Sequence, residues 1–228
     1  MTGAERFIFQ EVRHVARRII DMSRDPRGQQ YEFFRTVSNP WFGLTVQLDI
    51  TEFLKATKGE PFYHSFLFVV SRAFNAVPEL RRRFLADGTV VEYDRCSPSY
   101  TASRPDHTFA FCLVDCVTDS RAEFIAESIR CQQAAISRTD SMTNEGDKDE
   151  HFFVSSLPWI SYTQVTVPSG PPGECNPRFE WGKYYEQNGK ILLPFTIFVH
   201  HALADGWHVS QFFERLKEEM AAVESDER

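Results

Sequence analysis

The stretch Ile191-Leu192-Leu193-Pro194-Phe195-Thr196-Ile197-Phe198-Val199-His200, continuing through His201-Ala202-Leu203-Ala204-Asp205-Gly206-Trp207-His208, decides the architecture. Its apolar part falls far short of the ~20 residues a membrane span needs and reads as a long strand. Just upstream, Asn188-Gly189 is a strong type I′ turn signal, so Trp181–Gln187 is expected to fold back on that strand as a hairpin. Downstream, Asp205 is placed to cap a helix whose apolar positions Val209, Phe212, Phe213, Leu216 and Met220 follow helical spacing.

Toward the N-terminus the elements keep mixing. Leu44, Val46, Leu48 and Ile50 alternate with Thr45, Gln47 and Asp49, the pattern of a half-buried strand over Phe42–Ile50. Thr51–Lys58 reads as a short helix ended by Gly59. Pro61 opens a second helix through Phe66, Val69, Val70 and Phe74 that stops before Pro78. Asp87-Gly88 makes a hairpin turn into a strand at Thr89–Tyr93. A strand is expected at Thr108–Val117, followed by the capping box Ser120-x-x-Glu123 and a helix through Ile125, Ile129 and Gln133. Thr139–Glu150 reads as a polar, acidic loop. Phe152–Val167 reads as strand interrupted at Pro158-Trp159, and Pro168–Pro177 as a Pro/Gly loop. Strands and helices without regular βαβ alternation indicate an α+β fold, two layers, with a mixed sheet carrying helices on one face.

At 228 residues the chain has room for one large domain or two small ones, and a core burying roughly 70% of the unfolded surface. Its 25 Lys and Arg against 32 Asp and Glu give a net charge of −7, which argues against a nucleic-acid binder. The nearest basic run, Arg13-His14-Val15-Ala16-Arg17-Arg18, is too short for that role. Rings are abundant, with 21 Phe, 7 Tyr and 4 Trp, enough for an ordinary core and also suited to an apolar pocket for a ring-bearing small molecule. Five cysteines with no Cys-x-x-Cys fit neither a disulfide framework nor a zinc ribbon. The opening Met1-Thr2-Gly3-Ala4-Glu5-Arg6 lacks a secretory layout, so a reducing cytoplasm is the expected home and no membrane partner is expected. No repeat, Gly-x-Gly-x-x-Gly, Walker sequence or Gly-x-Ser-x-Gly is present, which removes solenoid, dinucleotide, nucleotide triphosphate and serine-hydrolase readings.

Chemistry concentrates at His200-His201 and Asp205-Gly206. Three readings of these residues stand side by side. The first is a strand end with solvated imidazoles and an Asp cap. The second is a metal site using His200, His201, Asp205 and His208, opposed by the opposite directions of neighbouring strand side chains. The third is a general base, since an ordinary imidazole titrates near ~6.5 and can accept a hydroxyl proton at cell pH.

His-His-Ala-x-x-Asp-Gly-x-His followed by an amphipathic helix resembles the signature of the chloramphenicol acetyltransferase family. Further segments match in order: Val46-Gln47-Leu48-Asp49-Ile50-Thr51, Phe62-Tyr63, Pro78-Glu79-Leu80-Arg81 before Asp87-Gly88, Ser155-Ser156-Leu157-Pro158-Trp159 and Gly182-Lys183-Tyr184-Tyr185. The likeness spans roughly residues 20 to 222. It implies one acetyltransferase domain over residues 16–228, in a homotrimer with sites between subunits, and does not account for residues 1–15, which read as an N-terminal extension.

The resemblance further implies direct acetyl transfer from acetyl-CoA to a hydroxyl of chloramphenicol without metal. His201 falls at the catalytic base. Asp205 falls at a structural aspartate paired with Arg27, and Ser155 at the donor to the oxyanion. Trp159, Lys183 and Tyr184 fall on the CoA side. Phe33, Phe34, Phe42 and Phe109 fall on the acceptor side, where core packing is an equally good account of the four rings. The chain departs from the family at Glu180, a position on the substrate side where a Thr that assists the intermediate through water is usual, at Asp25 in place of an aromatic, and at Gly28 after Arg27. A carboxylate at 180 opposes a developing anion, whereas a protonated acid there can donate. A different hydroxyl or amine acceptor, the transacylase core of 2-oxoacid dehydrogenase complexes and a ligand-binding relative without catalysis are the competing readings.

Overall fold

Asn188 and Gly189 both lie at positive φ, 53° and 75°, the backbone a type I′ turn demands and these residue types tolerate. The turn joins antiparallel strands with Tyr185 opposite Leu192. The computed structural model describes residues 15–115, 118–139, 148–168, 170 and 173–226. In chain order their principal elements are β1 (Arg17–Ile20), α1 (Gly28–Phe34), β2 (Trp41–Asp49), α2 (Thr51–Ala56), α3 (Phe62–Asn75), β3 (Arg82–Phe84), β4 (Val90–Tyr93), β5 (Ser97–Ser103), β6 (Phe109–Leu113), α4 (Arg121–Ser137), β7 (His151–Leu157), β8 (Arg178–Gly182), β9 (Tyr185–Gln187), β10 (Lys190–His200) and α5 (Gly206–Asp226).

The main sheet runs β2-β10-β8-β7-β5-β6, with β9 paired to β10. β7 is parallel to β5 and β8, while β10 is antiparallel to β2, β8 and β9, so the sheet is mixed. Strand alternation sends Phe152, Phe179, Trp181 and Phe195 to one face. On that face Phe74 of α3 stacks on Phe152 at 4.2 Å, Phe66 meets Trp181 edge-on at 5.2 Å, and Phe212 of α5 meets Phe179 at 5.1 Å. α3 also packs against α4 and α5, and α2 against α5. The helices therefore cover one side, and each fully buried ring contributes up to about 3 kcal/mol. On the other side a polar row crosses four strands. Ser155 lies opposite Glu180, Glu180 opposite Thr196, and Thr196 opposite Thr45.

A second sheet, β1-β4-β3, sits at the end of β10. Tyr31 of α1 donates its hydroxyl to the Gly88 carbonyl at 3.1 Å. It shares a small core with Val90, Ala202 and Leu203. That core fastens α1 over the turn that follows β10.

Several boundaries differ from the sequence expectations. The strand expected to reach Val167 ends at Leu157, because Pro158 offers no N–H and the Ile160 N–H turns back to the Leu157 carbonyl at 3.2 Å. β6 ends at Leu113, short of Val117, and Cys116 and Val117 lie outside the described residues. The capping box is half formed. Ser120 Oγ accepts from the Glu123 N–H at 3.3 Å, while Glu123 Oε2 takes the Thr118 hydroxyl instead of the Ser120 N–H. β1, α1 and β5 have no counterpart among the sequence expectations, whereas β3 is the first arm of the hairpin expected at Asp87-Gly88. β5 is polar and contains Pro98, and only its place between β6 and β7 makes it a strand. Residues 1–14 of the expected N-terminal extension and residues 140–147 of the acidic loop lie outside the described residues, as do 169, 171 and 172 of the Pro/Gly loop. Among the described residues, no helix is long and apolar enough to cross a membrane.

Candidate active site

The two histidines at the end of β10 have different surroundings. His200 is buried, edge-on to Trp41 at 5.7 Å and Phe84 at 4.9 Å, and its Nδ1 accepts from the Ala202 N–H at 3.3 Å. Burial, with the neighbouring His201 second, pushes its pKa down to about 4, so it is neutral at cell pH. His201 is half-buried. Its ring lies flat on Phe34, centroids 4.0 Å apart and 5° between planes, with Phe42 at 5.4 Å. Nδ1 is buried without a hydrogen-bond partner, which leaves Nε2 as the ring nitrogen able to meet another molecule.

The backbone of His201 is held from both ends. Its N–H donates to the Pro40 carbonyl at 2.7 Å, and its carbonyl accepts from Arg27 Nη2 at 3.0 Å. The other arm of the Arg27 fork pairs with Asp205. A planar guanidinium can serve a carbonyl and a carboxylate together, which an ammonium cannot match. Asp205 Oδ1 also accepts the Trp207 N–H at 3.0 Å, capping α5, and takes His208 Nδ1 at 2.8 Å. An ionised carboxylate has only acceptors, so His208 is the donor there. Burial by itself raises the Asp205 pKa, but Arg27 and His208 outweigh it and hold the carboxyl below its ordinary range. Asp25, the departure from the aromatic, accepts the Arg27 N–H at 2.9 Å and pairs with Arg82 at 3.0 Å, so it builds the turn that presents Arg27.

The polar row on the sheet face opposite the helices forms a second group. Glu180 is 3% exposed. Burial drives its pKa up to about 7, opposed by the hydrogen bond with Ser155, and Oε1 has no partner. Thr196 bonds Thr45 at 2.7 Å and donates to Tyr162 Oη at 3.3 Å, and Tyr162 donates to the Glu180 carbonyl at 2.8 Å.

One chain does not bring the two groups together. Ser155 lies level with Thr196, five residues before His201, and two strands across the sheet. Strand rise and spacing separate Ser155 from His201 by about 19 Å. Phe34 and Phe42 lie against His201, while Phe33 is exposed and packs on Phe34 at 5.1 Å. Phe109 lies on β6, at the opposite sheet edge from β2 and Phe42. Trp159, Lys183 and Tyr184 are exposed on the loops that end β7 and β8, joined where the Lys183 N–H donates to the Ile160 carbonyl at 2.8 Å. Among the described residues no group of three His, Cys, Asp or Glu side chains could hold a metal. Sequence reading did not single out Thr45, Thr196 or Tyr162. The two threonines were detectable as the polar phase of alternating strands, but Tyr162 reaches the row only through a loop.

The chloramphenicol acetyltransferase family model matches residues 16–217. A chloramphenicol acetyltransferase of a Klebsiella species is 33% identical over 205 residues, covering 87% of this chain and 91% of the relative. One from Clostridium perfringens is 31% identical over 202 residues, covering 87% and 96%. Among solved structures, a chloramphenicol acetyltransferase superposes with a TM-score of 0.81 at 23% identity, over 90% of this chain and 100% of the other. The Azotobacter vinelandii dihydrolipoamide acetyltransferase shares the fold more distantly, with a TM-score of 0.65 at 19% identity over 86% and 87%.

Proposed function

This chain belongs to the chloramphenicol acetyltransferase family, and from that premise we propose that it moves the acetyl group of acetyl-CoA onto a hydroxyl of chloramphenicol, with His201 as general base. The setting of His201 carries the reading. An imidazole clamped by stacking on Phe34, with its backbone pinned by Pro40 and Arg27, has its orientation set before substrate arrives and one ring nitrogen free to take a proton. Neutral His201 removes the hydroxyl proton as oxygen attacks the thioester carbonyl, Ser155 donates to the developing oxyanion, and His201 returns the proton to the departing CoA thiolate. No acyl-enzyme is needed, because both substrates are held in one complex.

On this reading the active assembly is a homotrimer, with Ser155 of one subunit completing the site around His201 of the next. The separation of these residues within one chain supports it, as do the exposed Phe33 and Phe109. Phe33 and Phe34 flank an aromatic acceptor from one side, and Phe109 joins the partner's half. Trp159, Lys183 and Tyr184 lie along the CoA path, the ammonium countering phosphate charge and the rings offering flat contact. Free CoA belongs to the cytoplasmic metabolic pool, and the unpaired Cys96, Cys112, Cys131 and Cys175 suit that compartment.

Thiol release from acetyl-CoA, followed with and without chloramphenicol, tests the reading; release that ignores chloramphenicol but responds to another alcohol or amine would replace the acceptor. Light scattering should return a trimer, and a fully active monomer would reject the shared site. Ser155→Ala should lower kcat about 10²–10³-fold with little change in either KM, as expected for a donor used chiefly in the transition state.

A further inference from the structure

The geometry points to Glu180 as a positioning residue that sets which way the Ser155 hydroxyl faces: as the neutral acid it donates to Ser155 Oγ and frees that proton for the oxyanion, and as the carboxylate it takes the proton for itself. The inference rests on Ser155 as the oxyanion donor. Glu180 and Ser155 are register partners on adjacent parallel strands, pointing to the same face, and the serine hydroxyl is near enough to act on the carboxyl. A serine hydroxyl has one proton and two acceptor sites. Spent on a carboxylate, that proton is lost to the thioester oxygen, and the carboxylate also places a negative charge beside a developing one. Received from a carboxylic acid, the hydrogen bond occupies a lone pair, leaving the serine O–H to point into the cleft. The proton count is the same at every turnover, because Glu180 itself transfers nothing.

The surroundings favour the neutral acid. On β10, Thr196 faces Glu180, but its hydroxyl is engaged with Thr45 and Tyr162. Tyr162 gives its proton to the backbone carbonyl of Glu180, not to the carboxyl. Arg178, two residues earlier on β8, is the nearest cation along the strand. Its guanidinium is paired with Glu174 at 2.5 Å and lies over Trp41 at 4.7 Å. Tyr63 of α3, on the helix side of the sheet, is a half-buried phenol whose hydroxyl is shielded from solvent and kept neutral. Burial and the Ser155 hydrogen bond are the two influences on the Glu180 carboxyl, and burial dominates. Oε1 is buried and unpartnered, a costly state for an ionised oxygen and a much cheaper one for a neutral acid.

The test compares kcat/KM against pH, from about 6 to about 9, for the wild type and Glu180→Gln, whose amide donates at every pH. The wild type should lose about tenfold per pH unit above the titration of Glu180. Glu180→Gln should stay within a few-fold of wild type near neutrality and lack that alkaline limb. Ser155→Ala, slower throughout, should keep at most a shallow remnant of it from the carboxylate's own charge, because the larger effect travels through the serine. An alkaline limb that persists in Glu180→Gln overturns the inference while leaving acetyl transfer standing. Should the wild type show no acetyl transfer, the functional reading fails separately. Infrared difference spectra of wild type minus Glu180→Gln then decide. A protonated carboxyl band at about pH 6 that disappears by about pH 8.5 upholds the neutral acid, and no such band at about pH 6 overturns it.

Discussion

Replacing His201 with alanine is expected to reduce chloramphenicol-dependent thiol release by as much as about 10⁴-fold, the upper range for removing a general base. KM for either substrate should change little, since the imidazole acts on a proton that moves only as the reaction proceeds. The assembly should survive, because His201 is half-buried and its Nδ1 holds nothing. What the variant loses structurally is a ring stacked on Phe34 and beside Phe42, a modest packing loss next to the core around Phe195 and Phe212. Steady-state kinetics with light scattering on the same sample separates the outcomes. Activity retained within tenfold would remove His201 from the role of base.

Arg27→Val is expected to lower both stability and activity. Asp205 is left with His208 and the Trp207 N–H, its charge partly buried and its main counterion gone. Breaking a buried pair from one side costs about 3–5 kcal/mol. Asp205 is 29% exposed at the side chain, so solvent relieves part of this and the low end applies. For a domain of this size that is a fall in Tm of about 6–12 °C. The pH dependence follows from the depressed carboxyl of Asp205. Its pairing stabilises the fold above the unfolded-state value of about 4, and that stabilisation is lost as pH falls through the lower folded-state value. The difference between wild type and variant should therefore narrow in acid, measurable by thermal melts at several pH values. Arg27→Lys should recover stability more than activity, because an ammonium can neutralise Asp205 without also holding the His201 carbonyl at the proper angle. A Tm unchanged in Arg27→Val would show that the pair contributes nothing to the fold.

The local signals that proved readable are those whose physics is local. A type I′ turn needs two residues tolerant of positive φ, and Asn188-Gly189 supplied them. Helix α5 needs an acceptor for its first N–H groups, and Asp205 is that acceptor. Elements that depend on their neighbours were missed. β5 has no apolar run of its own, and α1 begins without a capping side chain. The expected continuation of β7 failed because Pro158 and the turn at Ile160 outweigh the β-forming residues that follow.

The candidate site divides along the same line. From sequence alone came the histidine pair, the capping aspartate, the alternating phase of each strand and, through the family likeness, Arg27 and Ser155 as residues of interest. Only the tertiary structure decided that His200 is buried and neutral while His201 lies against Phe34, that Asp25 shapes the turn carrying Arg27, and that Glu180 is shut away beside Ser155. The reason is physical. Turn and helix-capping preferences act over three or four residues and are written into the chain where they operate. Burial, which sets the charge state of His200 and Glu180, depends on strands distant in sequence that meet across a sheet.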